Sequence, residues 1–200
     1  PNNFSSERSK ADKVASREIC KNFEEFEHLL KECQKDIKEQ KRKKKFKLNK
    51  MSNIRITKQF NFETGHALYG YDGKCKNVHG HSYKLSVTVI GKPIKDTSNV
   101  KYGMVIDFGD LKKIVKEQIV DVFDHATVFN KNTPHIELAH ELKSRGHDVI
   151  LVDYQPTSEN MVIDFSNKIK NLLPNNIKLH SLRLQETETS FAEWFASDNE

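Results

Sequence analysis

A chain of 200 residues with 36% hydrophobic content carries enough apolar material for one domain with a proper core. No apolar run approaches the roughly 20 residues that span a bilayer, and the first residues hold no signal-peptide core, which excludes a membrane-spanning helix as the organising feature. The three cysteines, Cys20, Cys33 and Cys75, are too few and too scattered for a disulfide framework, so a reducing, cytoplasmic location is expected. The net charge of +5 is local: residues 1–50 hold 15 Lys and Arg against 9 Asp and Glu, leaving 18 against 19 for the rest. Charge therefore gives no support to a nucleic-acid function for residues 51–200.

Residues 1–16 are polar. Ile19, Phe23, Phe26, Leu30, Cys33 and Ile37 then follow at intervals of 4, 3, 4, 3 and 4, a heptad-type stripe. Such a helix either pairs with another chain or lies against its own domain, and the pattern leaves both open. The run Lys41-Arg42-Lys43-Lys44-Lys45 ends the stripe and reads as a solvated linker rather than a polyanion contact. Met51 stands where a native start would fit. Residues 1–50 are therefore expected to be an appendage, a fusion or an upstream extension of the reading frame, and residues 51–200 the main folded domain.

From residue 54 the pattern is that of an α+β domain. Residues 54–66 and 82–94 alternate as long strands, joined by a loop with Gly70, Gly73 and Cys75. Asp107 caps a helix with Phe108, Leu111, Val115, Ile119 and Val122 on one face. Residues 135–145 are helix-like, and Val149–Val152 form a strand. Thr157 or Ser158 opens a helix carrying Met161, Phe165, Ile169 and Leu172, and a last strand covers 177–187. This is not a βαβ repeat, so the expected architecture is an antiparallel four-stranded sheet packed against two main helices.

Chemistry concentrates at strand ends. His79 and His81 share the face of Tyr83, Leu85, Val87 and Val89, and His66 shares the face of Phe60 and Phe62. Pairing the two strands brings three imidazoles together at one end of an apolar face. Three neutral nitrogen ligands without an obvious fourth are the pattern of a catalytic zinc site. A lone histidine there would be an ordinary rim residue; the third at matching parity, with Cys75 four residues before His79, favours metal. Asp124-His125 ends the first long helix, Pro156-Thr157-Ser158-Glu159-Asn160 opens the second, and Glu186 lies on the apolar face of Leu182 and Leu184. Each has a plain explanation as a helix-end cation, an N-cap or a strand-end acid. Together they supply a thiolate, an Asp–His proton pair and a carboxylate able to grip an amidine-like ring edge.

Phe62-Glu63-Thr64-Gly65-His66, Cys75 to His81, Gly103 to Phe108, Asp124-His125, Pro156 to Asn160 and Glu186-Thr187 occur in an order that resembles the 6-pyruvoyltetrahydropterin synthase family across about residues 54–187. The three residues between Cys75 and His79 are similar to the branch that makes 6-carboxytetrahydropterin in the queuosine (7-deazaguanine) pathway. The resemblance implies a tunnelling fold, a homohexamer with sites at subunit interfaces, and 7,8-dihydroneopterin triphosphate as substrate. Carried over residue by residue, it implies zinc on His66, His79 and His81, and Cys75 as catalytic thiol with Asp124 and His125 as acid/base partners, from the same subunit or across an interface. It makes Glu186 the pterin anchor, with Thr157, Ser158 and Glu159 lining the pocket. Residues 1–50 and the 31 residues between His125 and Thr157 depart from the family pattern. The alternatives are a 6-pyruvoyltetrahydropterin synthase of the same fold and a non-catalytic pterin- or metal-binding scaffold. A zinc hydrolase would want a carboxylate base beside its ligands, as in His-Glu-x-x-His, and none is present.

Overall fold

The computed structural model describes residues 13, 17, 21–22, 25–42 and 52–199. The chain falls into two units, Pro1–Met51 and Ser52–Glu200, and each is taken by itself. In the first, residues 25–42 form helix α1. Its stripe residues Phe26, Leu30, Cys33 and Ile37 are exposed. Ile19, Phe23 and Lys43–Lys45 lie outside the described residues. Among the described residues no helix is long and apolar enough to cross a membrane.

The second unit is built on β1 (Ile54–His66) and β2 (His79–Gly91), a long antiparallel pair in continuous register from Ile54↔Gly91 to His66↔His79. Strict alternation buries Phe60, Phe62, Thr64 and His66 on one face of β1 and leaves Arg55, Thr57, Gln59, Asn61 and Glu63 exposed on the other. That exposed face carries polar rungs across the pair: Thr57 to Thr88 at 2.8 Å, Gln59 to Ser86 at 3.2 Å and Ser82 to Glu63 at 2.7 Å. One face is thus core and the other wet, as an antiparallel pair allows.

The sheet has six strands rather than the expected four, in the order β4-β3-β1-β2-β5-β6. β3 (Ala126–Asn130), β4 (Val149–Val152), β5 (Ile177–Gln185) and β6 (Phe191–Phe195) complete it. It is also mixed rather than antiparallel, because β1–β3 and β3–β4 pair parallel while β2, β5 and β6 continue antiparallel. The cause is the long segment after His125, which supplies two strands and α4 (His135–Ser144) as the crossover between them. Parallel neighbours require such a crossover. A β-bulge between Thr88 and Val89 shifts the β2–β5 register, so Leu179, Leu182 and Leu184 are all buried despite their uneven spacing.

Two helical segments cover the apolar face. Asp107 caps α2 (Phe108–Val115), its carboxylate accepting from the Gly109 N–H at 2.6 Å. A π turn (Lys116–Val120) and α3 (Asp121–Phe123) continue it. The extra residue in the π turn rotates the helix, so Val120 and Phe123 are buried and Val122 is exposed. Phe108, expected on the same apolar face, is exposed as well. Thr157 caps α5 (Ser158–Ile169), which buries Met161, Val162, Phe165 and Ile169. Phe165 meets Phe62 and Phe123 edge-on, with ring centroids 6.2 and 4.8 Å apart. The chain ends in a short helix, α6 (Ala196–Asn199).

Candidate active site

The register of β1 on β2 decides the site. Directly opposed residues share a face, so His66 opposite His79, and His81 opposite Thr64, place three imidazoles at one end of the core face. Gly80 between the two β2 histidines permits this approach: a Cβ there would sit 3.2 Å from the Thr64 carbonyl. The ring centroids lie 4.5, 5.2 and 4.9 Å apart, and one ligating atom from each ring falls within 4.8 Å of the others.

Hydrogen bonds fix the tautomers. His66 Nδ1 donates to the Pro156 carbonyl at 2.6 Å and His79 Nδ1 to the Asn77 carbonyl at 2.8 Å. Both Nε2 atoms therefore present lone pairs, yet they face each other at 3.2 Å. Neither has a proton to share. Metal–nitrogen bonds of about 2.0–2.1 Å in a tetrahedral arrangement separate ligand nitrogens by roughly 3.4 Å, so a cation satisfies a spacing that two acceptors alone do not. His81 Nε2 is buried and has no hydrogen-bond partner, an orphan that a metal ion would also satisfy. Burial pushes the pKa of His66 and of His81 below the ordinary 6.5, which keeps both rings neutral. A carbonyl behind the imidazole is the usual second support of a histidine ligand.

Glu186, just past the end of β5, closes the group. Its Oε1 lies 3.6 Å from both His66 Nε2 and His81 Nε2 and accepts a hydrogen bond from the Tyr83 hydroxyl at 3.0 Å. Its backbone is held by a tight connection to β6, with the Glu186 N–H donating to the Ser190 carbonyl. Tyr83 is fully buried, and burial followed by the neighbouring Glu186 charge raises its hydroxyl pKa strongly, so it stays a donor. Strand parity put Tyr83 on the histidine face but treated it as core. The signal that marks it is a tyrosine on a buried face, whose hydroxyl needs a partner.

Cys75 is a free, half-buried thiol on a 3₁₀ turn (Lys74–Lys76), and its carbonyl accepts from the Leu68 N–H at 2.9 Å. The Pro156–Asn160 motif divides its labour. Pro156 supports His66, Thr157 spends its hydroxyl on the Asn160 N–H, Ser158 is buried with its hydroxyl turned to that of Tyr83, and Glu159 is exposed. Asp124 and His125 form a pair at 3.0 Å, and the Glu63 N–H donates to Asp124 at 2.9 Å. That backbone contact is the main reason the Asp124 pKa is lowered. His125 adopts a left-handed φ of 62° and its N–H reaches the Glu63 carbonyl at 2.6 Å. His125 lines a cavity of about 260 Å³ with Glu63, Gly65, Gly80, His81 and Ser82. Among the described residues no hydrogen bond or ion pair joins the Asp–His pair to the three imidazoles, although His81 lines the same cavity.

Three imidazoles, a carboxylate and a free thiol gathered by one end of a mixed sheet define the class: an α+β enzyme built round a three-histidine centre. The chain belongs to the 6-pyruvoyl tetrahydropterin synthase family, whose model matches residues 55–197. It is 40% identical over 142 residues to a 6-carboxy-5,6,7,8-tetrahydropterin synthase of Haemophilus influenzae, covering 70% of this chain and 98% of that one. It is 32% identical over 143 residues to the enzyme of the same name from Rickettsia typhi, covering 70% and 99%. Among solved structures, an uncharacterized protein of Wolinella succinogenes aligns with a TM-score of 0.60 at 20% identity over 72% of this chain and 99% of that one. The Caenorhabditis elegans 6-pyruvoyl tetrahydropterin synthase aligns at 0.54 and 23% identity over 73% and 97%. These structures establish the fold as the tunnelling fold of the family.

Proposed function

We propose that the Ser52–Glu200 unit is a zinc-dependent 6-carboxytetrahydropterin synthase of the queuosine (7-deazaguanine) pathway. In this reading 7,8-dihydroneopterin triphosphate and water give 6-carboxytetrahydropterin, acetaldehyde and triphosphate. The observation that carries it is the convergence of three imidazoles, two of them with Nε2 3.6 Å from Glu186, with the Nδ1 atoms of His66 and His79 committed to carbonyls. His66, His79 and His81 would hold the ion, which would supply Lewis-acid polarisation of the substrate's side-chain oxygens.

The chain's own groups supply the rest. Tyr83 takes one lone pair of Glu186 Oε1, which leaves Oε2 and the second lone pair of Oε1 to accept the adjacent ring N–H and exocyclic amino group of a pterin. Because that carboxylate is 3.6 Å from two of the imidazoles, a ring clamped on it carries its side chain over the histidines. Cys75 moves a proton at that side chain, and Ser158 backs the pocket beside Tyr83. Asp124 and His125, which no hydrogen bond or ion pair among the described residues joins to Cys75 of their own chain, serve the Cys75 of an adjoining copy, so a homo-oligomer, a hexamer in the family pattern, belongs to the proposal. Residues 1–50 take no part in the chemistry.

Mass spectrometry of the product formed from dihydroneopterin triphosphate tests the reading. The 6-carboxy product with equimolar acetaldehyde is expected. A 6-pyruvoyl product without acetaldehyde would move the chain to the sister activity.

A further inference from the structure

The loop that carries Cys75 leaves β1 at His66 and returns to β2 at His79, and it is tied down at both ends. Its last part is fixed to its first by the Leu68 N–H on the Cys75 carbonyl at 2.9 Å. Ala67 is fully buried in a small satellite core with Phe129 and Ala139, where Leu142, Val149 and Leu151 pack against it. Tyr69 meets His135 edge-on at 5.3 Å. The α4–β4 segment therefore backs the thiol loop with apolar contact, which fixes its height but not its register.

Two side-chain hydrogen bonds reach this stretch from outside among the described residues: His79 Nδ1 on the Asn77 carbonyl near its end, and a second from Gln155 near its start. The Gln155 side-chain amide donates to the Tyr69 carbonyl at 2.9 Å. Gln155 is itself immobilised, because its carbonyl accepts from Asn160 Nδ2 at 2.9 Å and from the Thr157 N–H at 2.8 Å. The next carbonyl along, that of Pro156, holds His66 Nδ1 at 2.6 Å. Consecutive Cα atoms are about 3.8 Å apart across a rigid peptide plane, so two adjacent residues grip the thiol loop and the His66 imidazole on one stiff unit.

We propose that Gln155 is a positioning residue, which through the Tyr69 carbonyl sets the Cys75 loop against the three-histidine centre, with Asn160 locking Gln155 in place. The inference rests on Cys75 being the reacting thiol. Misplacing a reacting group by about 1 Å costs on the order of a hundredfold in rate, while binding groups elsewhere in the site are untouched. A loosened loop should therefore be felt in kcat and not in KM. Gln155→Met keeps the length of the side chain and removes the donor. Because Pro156 is unchanged, His66 keeps its support.

The test uses the full chain with Cys20→Ser and Cys33→Ser, so that Cys75 is the one thiol. In Gln155→Met, kcat should fall about tenfold or more with KM within about twofold, metal content should be unchanged, and iodoacetamide should alkylate Cys75 several times faster. Gln155→Glu, which keeps the shape and loses the same donor, gives the same comparison should the first variant misfold. An unchanged kcat with an unchanged alkylation rate would overturn the proposal, as would metal lost in step with activity. Alkylation and metal content need no substrate, so a chain inert toward the pterin triphosphate would defeat the functional reading while Gln155 was still judged.

Discussion

Replacing Glu186 by Gln exchanges one carboxylate oxygen for an amide NH₂ and removes the charge. The Tyr83 hydroxyl keeps an acceptor, because the amide oxygen can take the position of Oε1 at 3.0 Å. The other position then presents a donor to the pterin's own donors. A hydrogen bond to a charged group contributes about 1.5–3 kcal/mol, and opposing donors in a closed site add to the loss. Glu186 is a quarter exposed, so solvent recovers part of that cost. The expected weakening is about 2–4 kcal/mol, which at 1.4 kcal/mol per decade is a Kd raised roughly 30- to 700-fold. Calorimetric titration of metal-loaded protein with neopterin measures this, with metal content determined in the same preparation. A Kd within about twofold of the wild type would refute the reasoning, because that is what a strand-end acid facing solvent would give.

Three further outcomes follow from the same geometry. Cys75→Ala should lose at least about two orders of magnitude in rate, the usual scale for a positioned acid/base group, with metal and fold retained; steady-state kinetics on Cys75→Ala and Cys33→Ala should separate the two thiols. A chain beginning at Met51 should fold, bind metal and turn over at a rate comparable to the full chain, as circular dichroism and the same assay would show. The third outcome concerns pH. Burial lowers His66 and His81 below 6.5, so below that value the unfolded chain of metal-free protein takes up protons that the fold resists. The stability these groups contribute is complete above pH 6.5 and is lost as pH falls through their lowered folded values, at up to about 1.4 kcal/mol per pH unit for each. Urea unfolding of chelator-treated protein between pH 7.5 and 5 should show that decline.

The parts of the molecule legible in the sequence are those set by local rules. Alternation gave β1 and the face that His66, His79 and His81 share, because a strand repeats every two residues. Asp107 and Thr157 were readable as caps, since a side-chain acceptor ahead of an apolar stripe has one common use. The partners of a strand were not readable. Nothing in Ala126–Asn130 or Val149–Val152 announces that they pair parallel beside β1, and the five residues of β6 are too few to carry a pattern. The π turn in the first long helix moved Val122 outward, which a fixed 3.6-residue period cannot anticipate. At the site, sequence order brought Asp124-His125 near the other motifs, but its place at the β1 edge follows from its contacts with the Glu63 backbone. Tyr83, Gln155 and the Pro156 carbonyl act through contacts 103, 86 and 90 residues away in the chain, which no local pattern holds.

The central claim is that His66, His79 and His81 form one metal centre whose geometry is set by the carbonyls of Pro156 and Asn77. Metal analysis of purified protein, wild type beside the triple His→Ala variant, tests it most directly. The account requires one zinc per chain in the wild type and none in the variant; stoichiometric zinc surviving in the variant would contradict it.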